Sequence, residues 1–254
     1  FGGLLNEHRH WTHPVIHETL VDLLMIQQRI HRGIFAVMDG TFAGDGPGPR
    51  CMIPHVKNVL LASRDQVAID AVAARLMGFD PLRDVKCIRL AHELGLGCGD
   101  PQEIRIVGDE EAATENWHFV GPYRRMTFAA RMQHLIYWGW LKRFLEWSLK
   151  TWLAPWAYIA SVVYHDTFWY PLFGRKRVRE ALRSPWGRLF RNFESVEATE
   201  SGYPDVGPAG GGFVRGLGAS LALSLRILWT CLREAPEALF RGKRRCPAST
   251  PPRP

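Results

Sequence analysis

The chain has 254 residues, is 46% hydrophobic and 22% charged, and carries a formal net charge of +7; this is enough apolar material for at least one buried core and excludes disorder throughout. Its five cysteines, Cys51, Cys87, Cys98, Cys231 and Cys246, are odd in number, scattered and without a Cys-x-x-Cys pair. That pattern argues against a disulfide framework, a zinc ribbon or an iron–sulfur cluster motif within this chain, and for a reducing, cytoplasmic compartment. The positive charge is local, since residues 124–191 hold 13 Lys and Arg against 3 Asp and Glu, a net +10 that leaves the remainder acidic.

The chain starts at Phe1 rather than a methionine, and its first residues read as the middle of a fold, so part of the domain is expected to lie upstream. No charged stretch followed by an apolar core and a cleavage site is seen there. Thr12 or His13 can cap a first helix with Pro14 in its first turn. Val15, Leu20, Leu23, Leu24 and Ile30 form its apolar stripe, and Gly33 stops it. Ile34 to Met38 is a buried-strand candidate and Val56 to Ala62 a second. Ser63 with Gln66 has capping-box spacing before a helix over about 65–77 that Gly78 ends. A further helix over 84–94 stops at Gly95, and Ile104 to Val107 is a third strand candidate. The alternation predicts an α/β fold, a parallel or mixed sheet with helices on both faces.

Four parts are expected along the chain. They are an α/β domain over 1–116, a basic aromatic helical segment over 117–196, a Gly/Pro-rich linker over 197–213, and an amphipathic helix with a disordered basic tail over 214–254.

The stretch from Asp39 to Arg50, DGTFAGDGPGPR, follows the first strand candidate and reads as a strand-end loop, where ligands sit in open α/β sheets. It lacks the lysine of a phosphate loop, and Pro47 and Pro49 each delete a donor that a dinucleotide loop needs. What remains is a stiff loop with two carboxylates and a hydroxyl. Asp39 and Asp45 are the candidates for catalysis or for holding a divalent cation, with His55 as a further metal ligand. Gly40, Thr41, Gly44, Gly46 and Arg50 are candidate ligand-binding residues, Arg50 as the clamp of an anionic ligand. The competing reading is a glycine-rich turn with two solvated acids.

Asp70 lies inside an otherwise apolar helix, where an ionised carboxylate is costly without a partner. It joins Ser63 and Asp65 as a candidate behind the loop, set against a purely structural role as a lock of the fold. The histidines at 8, 10, 13 and 17 read as a polar turn broken by Pro14, Cys98 as a structural thiol, and Tyr164-His165-Asp166 as structural.

Three segments together, Asp39-Gly-Thr-Phe-Ala-Gly-Asp-Gly-Pro47, Leu60 to Pro81 and Ala91-His-Glu-Leu-Gly-Leu-Gly97, resemble the prokaryotic family catalogued as domain of unknown function 362. The resemblance covers residues 1–108 and corresponds to the second half of that domain. It implies an α/β fold and, since some members carry ferredoxin-like iron–sulfur modules, a redox setting. The chain departs from those members in having no clustered cysteines.

Beyond residue 117 the tryptophans Trp138, Trp140, Trp147, Trp152, Trp156 and Trp169 recur at helical intervals among leucines and basic residues. That spacing argues against a nucleic-acid groove. A buried layer accounts for the rings but not for the charge, whereas an interfacial helix on an anionic membrane accounts for both. The uncharged run 151–165, broken by Pro155, falls short of the roughly 20 residues of a spanning helix.

The sequence therefore predicts a peripheral, cytoplasmic-face protein binding a small anionic or metal-bound ligand at the Asp39 to Arg50 loop, in a redox or group-transfer setting. Its alternative is a non-catalytic accessory protein docking on a membrane redox complex or an iron–sulfur partner.

Overall fold

A computed structural model describes residues 12–48, 51–121, 123–151 and 155–197, together with 222, 225 and 229. The first helix, α1, spans Ile16–Ile30; Pro14 lies in a 3-10 turn before it, and Val15 at its N-cap makes no side-chain cap bond. The helix buries Val21, Leu23 and Leu24 and leaves Ile26 and Ile30 exposed.

Strands β1 (Ala36–Asp45) and β2 (Ile53–Ser63) pair antiparallel. The expected parallel or mixed sheet with a loop from Asp39 is thus replaced, among the described residues, by one long hairpin. The glycines that made this stretch read as a loop are sites of close approach instead. A Cβ on Gly40 would sit 2.7 Å from the Val59 carbonyl oxygen, and one on Gly44 would sit 2.6 Å from Met52 Sδ. The chain leaves β1 at Gly46, whose φ of +108° suits glycine. Between the Gly40–Val59 and Phe42–Val56 pairs the register shifts, so Lys57 and Asn58 stand against Thr41 alone. Asn58 takes a left-handed φ of 56° at this bulge.

Helix α2 (Gln66–Met77) starts on Asp65, whose Oδ1 accepts from the Val67 and Ala68 amides at 2.9 and 3.0 Å. The expected Ser63–Gln66 capping box does not form; the Ser63 hydroxyl oxygen accepts from the Asp65 amide one step earlier. The helix ends at Gly78 in the left-handed conformation, as its sequence predicts. Short α3 (Pro81–Asp84) and α4 (Lys86–Glu93) follow. Val21 and Leu24 of α1, Val67, Ala71 and Ala74 of α2, and Ile88 and Ala91 of α4 form one core.

Residues 104–107, expected as a third strand, are irregular, and Val107 is 82% exposed. After α5 (Glu110–Thr114) the chain runs extended along the end of α2, where Trp117 and Phe119 donate their amides to the Leu76 and Met77 carbonyls. The remainder is helical: α6 (Phe128–Tyr137), α7 (Lys142–Lys150), α8 (Pro155–Val162), a π-helical stretch over Val163–Gly174, α9 (Arg175–Leu182) and α10 (Pro185–Glu197).

This part returns to the hairpin. Arg177 donates to the Cys51 carbonyl at 2.7 Å, and Trp186 Nε1 donates to Asn58 Oδ1 at 2.6 Å. The rings of Phe42 and Phe190 lie 6.0 Å apart. The segment from 214 onward falls almost wholly outside the described residues.

Candidate functional site

The two carboxylates expected to share a ligand occupy different environments along β1. Asp39 stands on the exposed face opposite Leu60 and turns back on the bulge, where its Oδ1 accepts from the Thr41 amide at 2.8 Å and the Thr41 hydroxyl at 2.5 Å. Those bonds stabilise the ionised form, so its pKa lies below the ordinary aspartate value. Asp45, at the other end of the strand, is 4% exposed. Its Oδ1 accepts from the Val120 and Gly121 amides, both at 3.0 Å, and its Oδ2 lies 4.0 Å from Arg125 Nε. Asp45 therefore clamps the segment before α6 onto the hairpin, with two amides on one carboxylate oxygen and Arg125 near the other.

His55 pairs with Ala43, on the same strand face as Asp45, and its ring packs 5.2 Å from Phe119. The register brings His55 and Asp45 to one face, but each meets the 119–121 segment that lies over it. Among the described residues no group of three or more His, Cys, Asp or Glu has metal-holding geometry. Thr41 lies in the bulge, Gly40 and Gly44 lie within β1, Gly46 makes the turn, and Arg50 falls outside the described residues.

Behind the hairpin, Asp65 is fully engaged, for besides capping α2 it accepts the Cys98 amide at 2.7 Å through Oδ2. Burial raises the Cys98 thiol pKa, as expected of a structural cysteine. Asp65 thus ties the start of α2 to the loop after α4, and Ser63 ties it to the end of β2. Of the candidate histidines, His8 and His10 lie outside the described residues, while His13 stacks on Tyr137 at 4.7 Å. His17 has a buried Nδ1 without a hydrogen-bond partner, and burial lowers its pKa.

Asp70 differs from the other acids. It points into a cleft of about 200 Å³ between α1, α2 and α4, walled by Leu20, Val21, Leu24, Val67, Ile88 and Ala91, with Gln66 and Cys87 beside it. Among the described residues Asp70 has no hydrogen-bond or ion-pair partner. Water reaches it, since by surface area the residue is exposed, yet the apolar walls raise its pKa by desolvation. Burial and the Asp70 charge together raise the Cys87 thiol.

A second cleft, of about 360 Å³, opens where the glycine-rich half of the hairpin meets the C-terminal helices. Phe42, Gly44, Met52 and Pro54 form one wall, and Trp169, Leu182 and Phe190 face them. The cation there is Arg177, whose guanidinium lies 5.5 Å from the Trp169 ring. Sequence reasoning missed Arg177, because its place beside the hairpin depends on a contact across 126 residues; the only local signal is a basic cluster starting at Arg175.

Helices α6 and α7 present the third feature. On α7 the exposed side chains are Arg143, Phe144, Trp147 and Lys150, one outward face, while Leu145 and Leu149 turn inward. Phe144 is 68% and Trp147 65% exposed, and Trp140 just before the helix is 69% exposed. On α6 the exposed set includes Phe128, Arg131 and His134, with Trp138 following. The aromatic rings thus stand outward among cations.

The described residues define a mixed α/β protein in which helices predominate over a two-stranded sheet. Residues 1–75 match the family model described as Domain of unknown function (DUF362), the family whose resemblance the sequence carries, over a shorter stretch than the expected 1–108. No curated protein and no solved structure matches the chain. Among the described residues no helix is long and apolar enough to cross a membrane.

Proposed function

We propose that this protein works at an anionic membrane surface, where it takes a small anionic amphiphile between the glycine-rich half of the hairpin and helices α9 and α10. The observation that carries the reading is the outward face of α7, with Phe144 and Trp147 between Arg143 and Lys150. A helix serving a core would turn those rings inward. Rings placed outward leave a large apolar area in water, which monomeric proteins seldom keep without a partner. Cations flanking the rings favour a lipid headgroup layer over an apolar protein surface, because aromatic rings settle at headgroup depth while Lys and Arg meet phosphate.

The cleft beside Arg177 supports the ligand half of the proposal. Its volume falls within the range usual for small-molecule sites, its walls are apolar, and it holds one guanidinium with donors beyond the one given to Cys51. An anion with a short apolar tail matches that lining. Arg177 takes the role expected of Arg50, and Phe42, Met52 and Pro54 offer the tail an apolar wall.

A second reading, docking on a membrane-bound redox partner, is favoured by the hairpin itself. Leu60 is 72% and Val37 60% exposed on its outer face, and neither strand has another strand neighbour among the described residues.

Flotation with vesicles of mixed zwitterionic and anionic lipid tests the first reading. The protein is expected to float with anionic vesicles, to lose that at high salt, and to stay behind with purely zwitterionic ones. Failure to float with anionic vesicles, combined with capture by membranes that retain their proteins, would instead establish the docking reading.

A further inference from the structure

We propose that the cleft between α1, α2 and α4 is a binding site for a small organic cation, an ammonium group on a short apolar body, with the Asp70 carboxylate as its counter-ion. The site is built from elements other than those that carry the membrane-facing rings.

Three observations converge on it. Asp70 is the acid that lines this cleft, and its oxygens are uncommitted, whereas the nearby Asp65 is spent on amides and Asp84 on Arg83. Around Asp70 the walls are aliphatic and come from three helices that also form the core, so the cleft is held open by packed structure rather than by a loop. No cation faces Asp70 from those helices. Lys86 is turned to Glu18, and Arg89 lies 4.0 Å from Glu93 and donates to the Leu82 carbonyl. Water reaches the carboxylate, but the aliphatic walls penalise its charge, and among the described residues the chain supplies no partner for it.

The chemistry of the ligand follows from the lining. An anion is excluded by Asp70, and a neutral apolar molecule would leave the carboxylate desolvated and unpaired. An ammonium on a hydrocarbon body satisfies both the acid and the walls. The Gln66 side chain, whose amide donates to the Arg64 carbonyl, flanks the acid with its own carbonyl as a second acceptor for an ammonium. An apolar cavity of about 150 Å³ accommodates a benzene-sized ring, so the cleft of about 200 Å³ has room for a ring or short chain with its amino group and not for a large ligand.

Cys87 provides the readout, because its thiol lies in the cleft and is not in a disulfide. The full chain is treated with a small alkylating reagent in the presence of benzylamine, benzyl alcohol or benzoate, and modification is followed by mass on the Cys87 peptide. Benzylamine is expected to slow alkylation of Cys87 at least about tenfold more effectively, per unit concentration, than benzyl alcohol, and benzoate to have no effect. Asp70→Asn, close to isosteric, is expected to equalise the amine and the alcohol while Cys98 reacts as before. Leu20→Phe, which narrows the cleft, should weaken both. Equal protection by amine and alcohol in the native chain, or a preference for amine that survives Asp70→Asn, overturns the proposal.

Discussion

The two halves of the molecule use their apolar residues in opposite ways. In the half formed by α1 to α4, Val21, Leu24, Val67, Ala71, Ala74, Ile88 and Ala91 are all at most 6% exposed, and they meet in a core whose central helix α2 is capped at both ends. In the half from α6 to α10 the buried large residues among those described are Tyr137, Leu149 and Trp169, while Trp138, Trp140, Phe144, Trp147, Phe168 and Phe173 stand at half exposure or more. Apolar content alone does not separate the halves. What separates them is that the first turns its apolar side chains onto one another and the second holds aromatic rings outward among cations.

The contrast predicts which substitutions unfold the protein and which disarm it. Leu76→Ala removes a side chain that is 1% exposed and is expected to cost about 3 kcal/mol in urea unfolding. Asp65→Ala removes the α2 cap and strands the Cys98 amide, for about 2 kcal/mol by the same measurement. Asp45→Ala should cost a similar amount by freeing the 120–121 amides, and it sharpens the picture of Asp45 as a clamp. If Asp45→Ala left stability unchanged, that picture would fail.

Much of the first half was legible in the sequence because its signals are local. Gly78 ends α2 where a left-handed cap was expected, and of the apolar stripe expected on α1 Leu23 and Leu24 are buried while Val15 and Ile30 at its ends stand exposed. The stretch Asp39 to Asp45 was not legible. Glycine normally marks a loop, and only the cross-strand closeness of Val59 and Met52 explains why Gly40 and Gly44 sit within a strand. The partners of Asp45 lie 75 and 76 residues away, and Arg177 reaches the hairpin across 126, so no local pattern announces either. Asp70 was conspicuous as an acid in an apolar helix; its cleft required the positions of α1 and α4.

Smaller effects follow from Asp70 itself. Desolvation raises its pKa in the fold, so its contribution to stability is full below the ordinary aspartate value of about 3.9 and is lost as pH rises through the folded-state value. At pH 7 the ionised group therefore opposes folding. Asp70→Asn should raise the unfolding free energy at pH 7 by a fraction of a kcal/mol, since water partly screens the group, and the two proteins should converge below about pH 3. A lower midpoint at pH 7 for the variant would mean that Asp70 has a stabilising partner.

The smallest expected effect on stability belongs to the outward rings. Phe144→Ala with Trp147→Ala should change unfolding free energy by no more than about 0.5 kcal/mol per site, whereas a buried role for either ring would cost several times that.

That double variant also provides the most direct measurement of the central claim, flotation with vesicles containing anionic lipid, read beside the unsubstituted chain at the same salt. The account predicts that the unsubstituted protein floats, and that the folded double variant with Arg143 and Lys150 intact stays at the bottom of the gradient. A folded variant that floats as well as the original would contradict it, and would return Phe144 and Trp147 to the ordinary protein surface.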